Sequence, residues 1–240
     1  MVPALLLRGL IVGLIAGLLA FGFAKVFGEP LVDQAIAFEE HLHAGQDVGP
    51  ELVSRSVQAG VGLLIASVVY GAALGGLFSL VFAYWNGRLA LGSRGTAALL
   101  AALGFIAIGL VPNLIYPANP PAVGNHDTIG VRTGLFFGAL LLSLAAMALA
   151  VAFGRRLRAR AGLWNACVGA GLVYVVVMFV AQSFLPKIHE VPAGFSAELL
   201  WQFRQASLGL HVVIWTTLGL VYGPVAERVL QPAAPRHAHP

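Results

Sequence analysis

Charge is scarce in this chain of 240 residues: Asp, Glu, Lys and Arg together make up 10%, against 59% hydrophobic residues. A soluble domain carries about 25% charged residues, so most of this chain cannot be covering itself in water. Its mean hydropathy is positive. There is one cysteine, Cys167, inside an apolar run, which excludes an intrachain disulfide. No Walker A motif and no glycine-rich strand-to-helix turn is present, so the chain does not itself hydrolyse ATP. HExxH and GxSxG are missing as well. The apolar runs lack the polar set that an intramembrane enzyme would need. Neither enzymatic activity nor a tightly bound cofactor is expected.

What is present is a series of hydrophobic runs. A spanning helix needs about 20 mostly apolar residues, and six segments qualify: Ala4–Phe27, Val57–Tyr84, Thr96–Tyr116, Val131–Phe153, Leu163–Leu185 and Leu208–Tyr222. The last is the shortest and is expected to start earlier, near Leu199. The first has almost no basic residue before it and reads as a retained signal anchor rather than a cleaved peptide.

Arginines sort the connecting segments. Residues 85–95 carry Arg88 and Arg94, residues 154–162 carry Arg155, Arg156, Arg158 and Arg160, and the C-terminal tail carries Arg228 and Arg236. Cytoplasmic loops are enriched in Lys and Arg, so both termini are expected in the cytoplasm. Nine of the ten carboxylates, all but Glu227, then fall on the outer side, with His41, His43, His126 and His189. The net charge of +4 is thus a topological signal, not one for nucleic acid.

The expected fold is all-α: one polytopic membrane domain over residues 1–240, a bundle of about six transmembrane helices arranged as three hairpins with outward tips. Residues 28–56 form an acidic, histidine-bearing outer segment, 117–130 a proline-rich outer loop, and 229–240 a cytoplasmic tail. Glycines four apart, Gly9, Gly13 and Gly17 and again Gly130, Gly134 and Gly138, suit close helix packing and leave room for a homo-oligomer.

Residues 28–58 hold six of the ten carboxylates. Pro30 suits a first helical residue. Leu31 to His43 then reads as a short helix with Leu31, Ala35, Phe38 and Leu42 on one side. Neighbours on a helix are three and four apart, so Glu39 and Glu40 each share a face with His43, and Glu29 with Asp33. Mixed imidazole and carboxylate ligands suit divalent cobalt, nickel or zinc better than calcium. The metal-capture candidates are His41, His43, Glu39, Glu40 and Glu29, with His126, Asp127, His189 and Glu190 from the later loops. The bland alternatives are a solvated acidic loop and, for Asp127, a helix cap. His211, in the last run, is a functional candidate as an intramembrane ionisable group, or a histidine bonded to a carbonyl.

Gly28-Glu29-Pro30, Glu39-Glu40-His41-Leu42-His43, Glu51 with Arg55 and Gln58, Tyr70-Gly71, and the run Tyr116-Pro-Ala-Asn-Pro-Pro-Ala-Val-Gly124 with Thr128-Ile129 and Arg132 resemble the CbtA family of proposed cobalt transporter subunits. The resemblance implies a bacterial inner-membrane protein handling cobalt for cobalamin biosynthesis, with a small single-span, histidine-bearing partner called CbtB. Family descriptions often give five spans, against the six counted here. The expected function is uptake of a divalent transition metal, cobalt by resemblance, captured by outer His, Asp and Glu. The alternative is a non-transporting membrane scaffold or metal-sensing partner subunit.

Overall fold

The computed structural model describes residues 2–42 and 53–230, all in helices and the loops that join them. Helices α1 (Val2–Phe23) and α2 (Glu29–Leu42) are joined by a π-turn, Ala24–Gly28. After α3 (Arg55–Val57) comes a second π-turn, Gln58–Gly62, and then α4 (Leu63–Trp85). A third π-turn, Phe105–Leu110, separates α5 (Ser93–Gly104) from α6 (Val111–Ile115). The chain finishes with α7 (Ile129–Phe184) and α8 (Ala197–Leu230). Among the described residues, five helical runs are long and apolar enough to cross a membrane: Val2–Leu42, Arg55–Trp85, Ser93–Ile115, His126–Phe184 and Ala197–Leu230.

The sequence count was six. Its fourth and fifth segments share one run here, interrupted at Gly162, whose φ of 79° and ψ of 172° leave the helix. A positive φ is costly for any residue with a Cβ. Ser143 Oγ lies 2.7 Å from Tyr174 OH, 31 residues on; along a straight helix they would be about 46 Å apart. The chain therefore doubles back at Gly162. The final helix begins at Ala197, close to the start expected near Leu199, where Ser196 caps it by accepting from Leu199 N–H at 3.2 Å.

Two compact units form. Among the described residues, one comprises 2–26, 53–102 and 210–230, the other 27–42 and 103–209. In the first, α1 and α4 touch backbone to backbone. A methyl group on Gly71 would sit 2.8 Å from Gly17 Cα, and one on Gly75 2.7 Å from Gly13 Cα. Lipid tails are as apolar as leucine, so helices associate in a membrane through such close packing. Tyr222 on α8 is fully buried, edge-on to Phe78 and Phe82 with centroids 5.4 and 5.0 Å away, and its hydroxyl donates to Leu5 O at 3.3 Å.

In the second unit, Ala146 and Ala150 on the outgoing limb of α7 pack on Tyr174 and Met178 of the returning limb. Ser143 Oγ donates to Ala107 O, a π-turn carbonyl, at 2.7 Å. The buried hydroxyl is thereby satisfied, as apolar surroundings require.

Candidate functional site

Helix α2 forms one wall of a cleft, and its amphipathic pattern is what docks it. Ala35 is wholly buried, and Leu31 and Phe38 join it against Val123, Phe195, Leu199 and Leu200. Phe38 and Phe195 meet edge to face at 5.0 Å. Leu42, expected on the same side, is exposed. Beside this contact lies an open cavity of about 570 Å³, lined by Gln34, Phe38 and His41 from α2, by Phe195 just before α8, and by Glu198 and Gln202 in its first turns. Gln202 Nε2 donates to Glu198 Oε1 at 3.1 Å, leaving the other carboxylate oxygen for a ligand. The polar lining is one imidazole, one carboxylate, two amides and the Ser196 hydroxyl.

Glu190 is placed differently. It accepts from Asn125 N–H and from Thr128 Oγ1, both at 2.8 Å, and Arg132 Nε lies 3.5 Å from the same carboxylate oxygen. Its own carbonyl accepts from Gly124 N–H at 3.1 Å, and Arg132 Nη2 donates to Asn125 O at 3.1 Å. Gly124 holds φ 115°, a conformation strained for any residue with a side chain, and an added Cβ would also displace the Arg132 guanidinium. These contacts pin the proline-rich loop to residues 186–195. The Asn125 N–H first, then the Thr128 hydroxyl, hold the Glu190 carboxyl below the usual carboxylate range; partial burial pulls the other way and the Arg132 charge adds to the lowering. Tyr116 supplies a further tie by donating to Pro186 O at 2.9 Å. Burial raises the pKa of its hydroxyl. Arg204 Nη2 donates to Asn119 Oδ1 at 3.1 Å.

The remaining candidates do not converge. His126 and Asp127 lie in an exposed single turn that Asn125 caps through Asp127 N–H at 3.1 Å. His189 is exposed. Glu39 and Glu40 lie on α2 outside the cleft lining, and Glu29 begins that helix. His43 lies outside the described residues. Among the described residues, no group of three His, Cys, Asp or Glu is close enough to hold a metal ion.

Gln34, Glu198 and Gln202 are cleft residues that the sequence candidates missed. Ser196 is a favoured N-cap residue, and with an acid in the first turn it could have located Glu198 at a helix N-terminus. Nothing in the spacing pairs that terminus with His41, more than 150 positions earlier in the chain.

A family model described as a probable cobalt transporter subunit (CbtA) matches residues 2–227. No curated protein and no solved structure matches the chain.

Proposed function

The chain belongs to the CbtA family of probable cobalt transporter subunits, a family of transporters and not of enzymes, and on that premise we propose that it admits a divalent transition metal from outside a bacterial inner membrane. Cobalt for cobalamin biosynthesis is the cargo this reading favours, with nickel and zinc as the chemically similar competitors. The observation that supports it is the cleft whose lining includes both His41 and Glu198. An imidazole, a carboxylate and amide oxygens form a mixed donor set suited to such a cation. The outer carboxylates Glu29, Glu39, Glu40 and Asp127 raise the local cation concentration electrostatically. His43, two positions after His41 in the sequence, completes capture, and His126 and His189 assist transfer. Glu190 holds the two outer loops in register. The reading has six crossings, with the chain reversing at Gly162 on the arginine-rich inner side, and both termini in the cytoplasm. A small single-span histidine-bearing subunit is the proposed partner.

The test is uptake of radioactive cobalt by liposomes holding the purified chain. The His41→Ala, Glu198→Gln double variant is expected to lower loading at limiting cobalt on the order of 10- to 100-fold. Equal loading by the double variant and the natural chain would overturn the assignment of the cleft. The second reading, a non-transporting scaffold or metal-sensing partner subunit, draws on the scarcity of ligands: the cleft supplies one His and one carboxylate, and a partner would bring the rest. It has the natural chain alone loading nothing while still binding cobalt in detergent.

A further inference from the structure

The reversal of α7 at Gly162 has one face sealed and another bare. Gly154 is buried, and a Cβ on it would lie 3.0 Å from Ala170 Cβ on the returning limb; one on Gly169 would lie 2.8 Å from Leu157 Cδ2. Asn165 Nδ2 donates to Ala161 O at 2.9 Å across the break. The two limbs are thus in contact close to the turn. Arg156 and Arg160 belong to a different stripe. Leu149, Ala152, Phe153, Arg156 and Arg160 are linked by steps of three and four, and all five are exposed. In a spanning helix an exposed apolar stripe meets lipid tails. The two guanidiniums stand at the end of that stripe, where tails give way to headgroups. Just past the turn, Trp164 is 79% exposed, and tryptophan is enriched at headgroup depth.

Like charges one turn apart repel. Among the described residues, the side chains of Arg156 and Arg160 make no hydrogen bond or ion pair. No Asp or Glu occurs between Asp127 and Glu190. A helix C-terminus offers about half a negative charge, too little for two guanidiniums. The counter-charge has to come from outside the chain. A phosphate diester suits it, because a guanidinium presents paired N–H donors to two phosphate oxygens. The arginine bias of inner loops asks only for charge somewhere in the loop. It does not call for two arginines in line with a lipid-facing stripe. That alignment favours a phosphate carried on acyl chains, and two cations favour a lipid whose headgroup has no cation of its own.

We propose that Arg156 and Arg160 bind the headgroup phosphate of an anionic phospholipid, with its chains along Leu149 and Phe153 and with Trp164 at headgroup depth. The site is separate from the cation cleft and needs only that the chain spans a membrane.

The full chain in detergent is titrated, by native mass spectrometry, with phosphatidylglycerol or with phosphatidylcholine of the same acyl chains. The first phosphatidylglycerol is expected to bind on the order of 5- to 25-fold more tightly, as two surface arginines supply. Arg156→Gln with Arg160→Gln is expected to bring that ratio to within about twofold. Arg88→Gln with Arg228→Gln, which removes two exposed arginines outside this stripe, retains it. Equal affinity of the natural chain for the two lipids overturns the proposal and leaves these arginines to another anion, such as an acidic protein segment. So does an undiminished preference in the Arg156, Arg160 variant, or an equal loss in the Arg88, Arg228 variant, which would mark a general charge effect. Glycerol 3-phosphate, the same anion without acyl chains, is expected not to displace the lipid at equal concentration; displacement overturns the lipid assignment in favour of a soluble phosphate. Should the double variant fail to fold, Arg156→Gln and Arg160→Gln are each expected to lower the preference about threefold or more, and an undiminished preference in both sinks the site.

Discussion

Glu190 shows how one residue changes meaning between sequence and structure. In the sequence it is an outer carboxylate next to a histidine, a natural metal ligand. In the fold it accepts from a backbone N–H and a hydroxyl and stands beside a guanidinium. Its carboxyl is held below the ordinary range. A depressed folded-state value means that the stabilisation is present above the ordinary carboxylate pKa, about 4, and is lost as pH falls through the lowered value. The natural protein is therefore expected to lose thermal stability in detergent as pH is lowered through and below that range. Glu190→Gln, which cannot ionise, is expected to show a flatter acid limb. Parallel acid limbs for the two proteins would remove Glu190 as the clamp. Cobalt bound in the His41 cleft at neutral pH is expected to survive this substitution.

At the level of helices, one spacing motif has two fates. Gly9, Gly13 and Gly17 on α1 are covered by α4, where the Gly71 and Gly75 backbones come within contact. Gly130, Gly134 and Gly138 on α7 have the same spacing, yet an added Cβ at any of them would meet nothing within 4 Å among the described residues. Spacing alone does not separate these cases, because both stripes satisfy the steric condition for close approach. The expected outcomes are opposite. Gly71→Val forces α1 and α4 apart and is expected to cost on the order of 1–3 kcal/mol or more, read as a fall in melting temperature in detergent. Gly134→Ala is expected to be neutral or stabilising, by up to about 1 kcal/mol from helix propensity. A lower melting temperature for Gly134→Ala in detergent-solubilised monomers would show that its face is covered within the chain.

For the whole molecule the question is how often the chain crosses the bilayer. Residues 126–184 make one run of 59 residues; at 1.5 Å per residue it would measure about 88 Å if straight, against a hydrocarbon core of about 30 Å. A reversal at Gly162 leaves two limbs each of a length suited to one crossing, and on the proposed topology the preceding Arg155, Arg156, Arg158 and Arg160 would face the cytoplasm. In a Cys167→Ser background, Lys187→Cys is expected to react with a membrane-impermeant thiol reagent in intact cells. Arg158→Cys and Arg228→Cys are expected to react only after permeabilisation. Labelling of positions 158 and 187 from the same side would rule out a crossing between them.

Hydrophobic composition, the arginine bias and the proline-rich run carried the membrane class, the helical fold and the family, because these signals are local and survive without knowledge of neighbours. The docked face of α2 was legible for the same reason, since a period of 3.6 places Leu31, Ala35 and Phe38 together before any partner is known. The cleft shared by Glu198 and His41, the loan of Glu190 to Asn125, Thr128 and Arg132, and the covering of one glycine stripe but not the other among the described residues were decided by tertiary structure alone. Each depends on which distant segments share a surface, and a side chain's spacing along its own helix contains no information about what the chain brings opposite it.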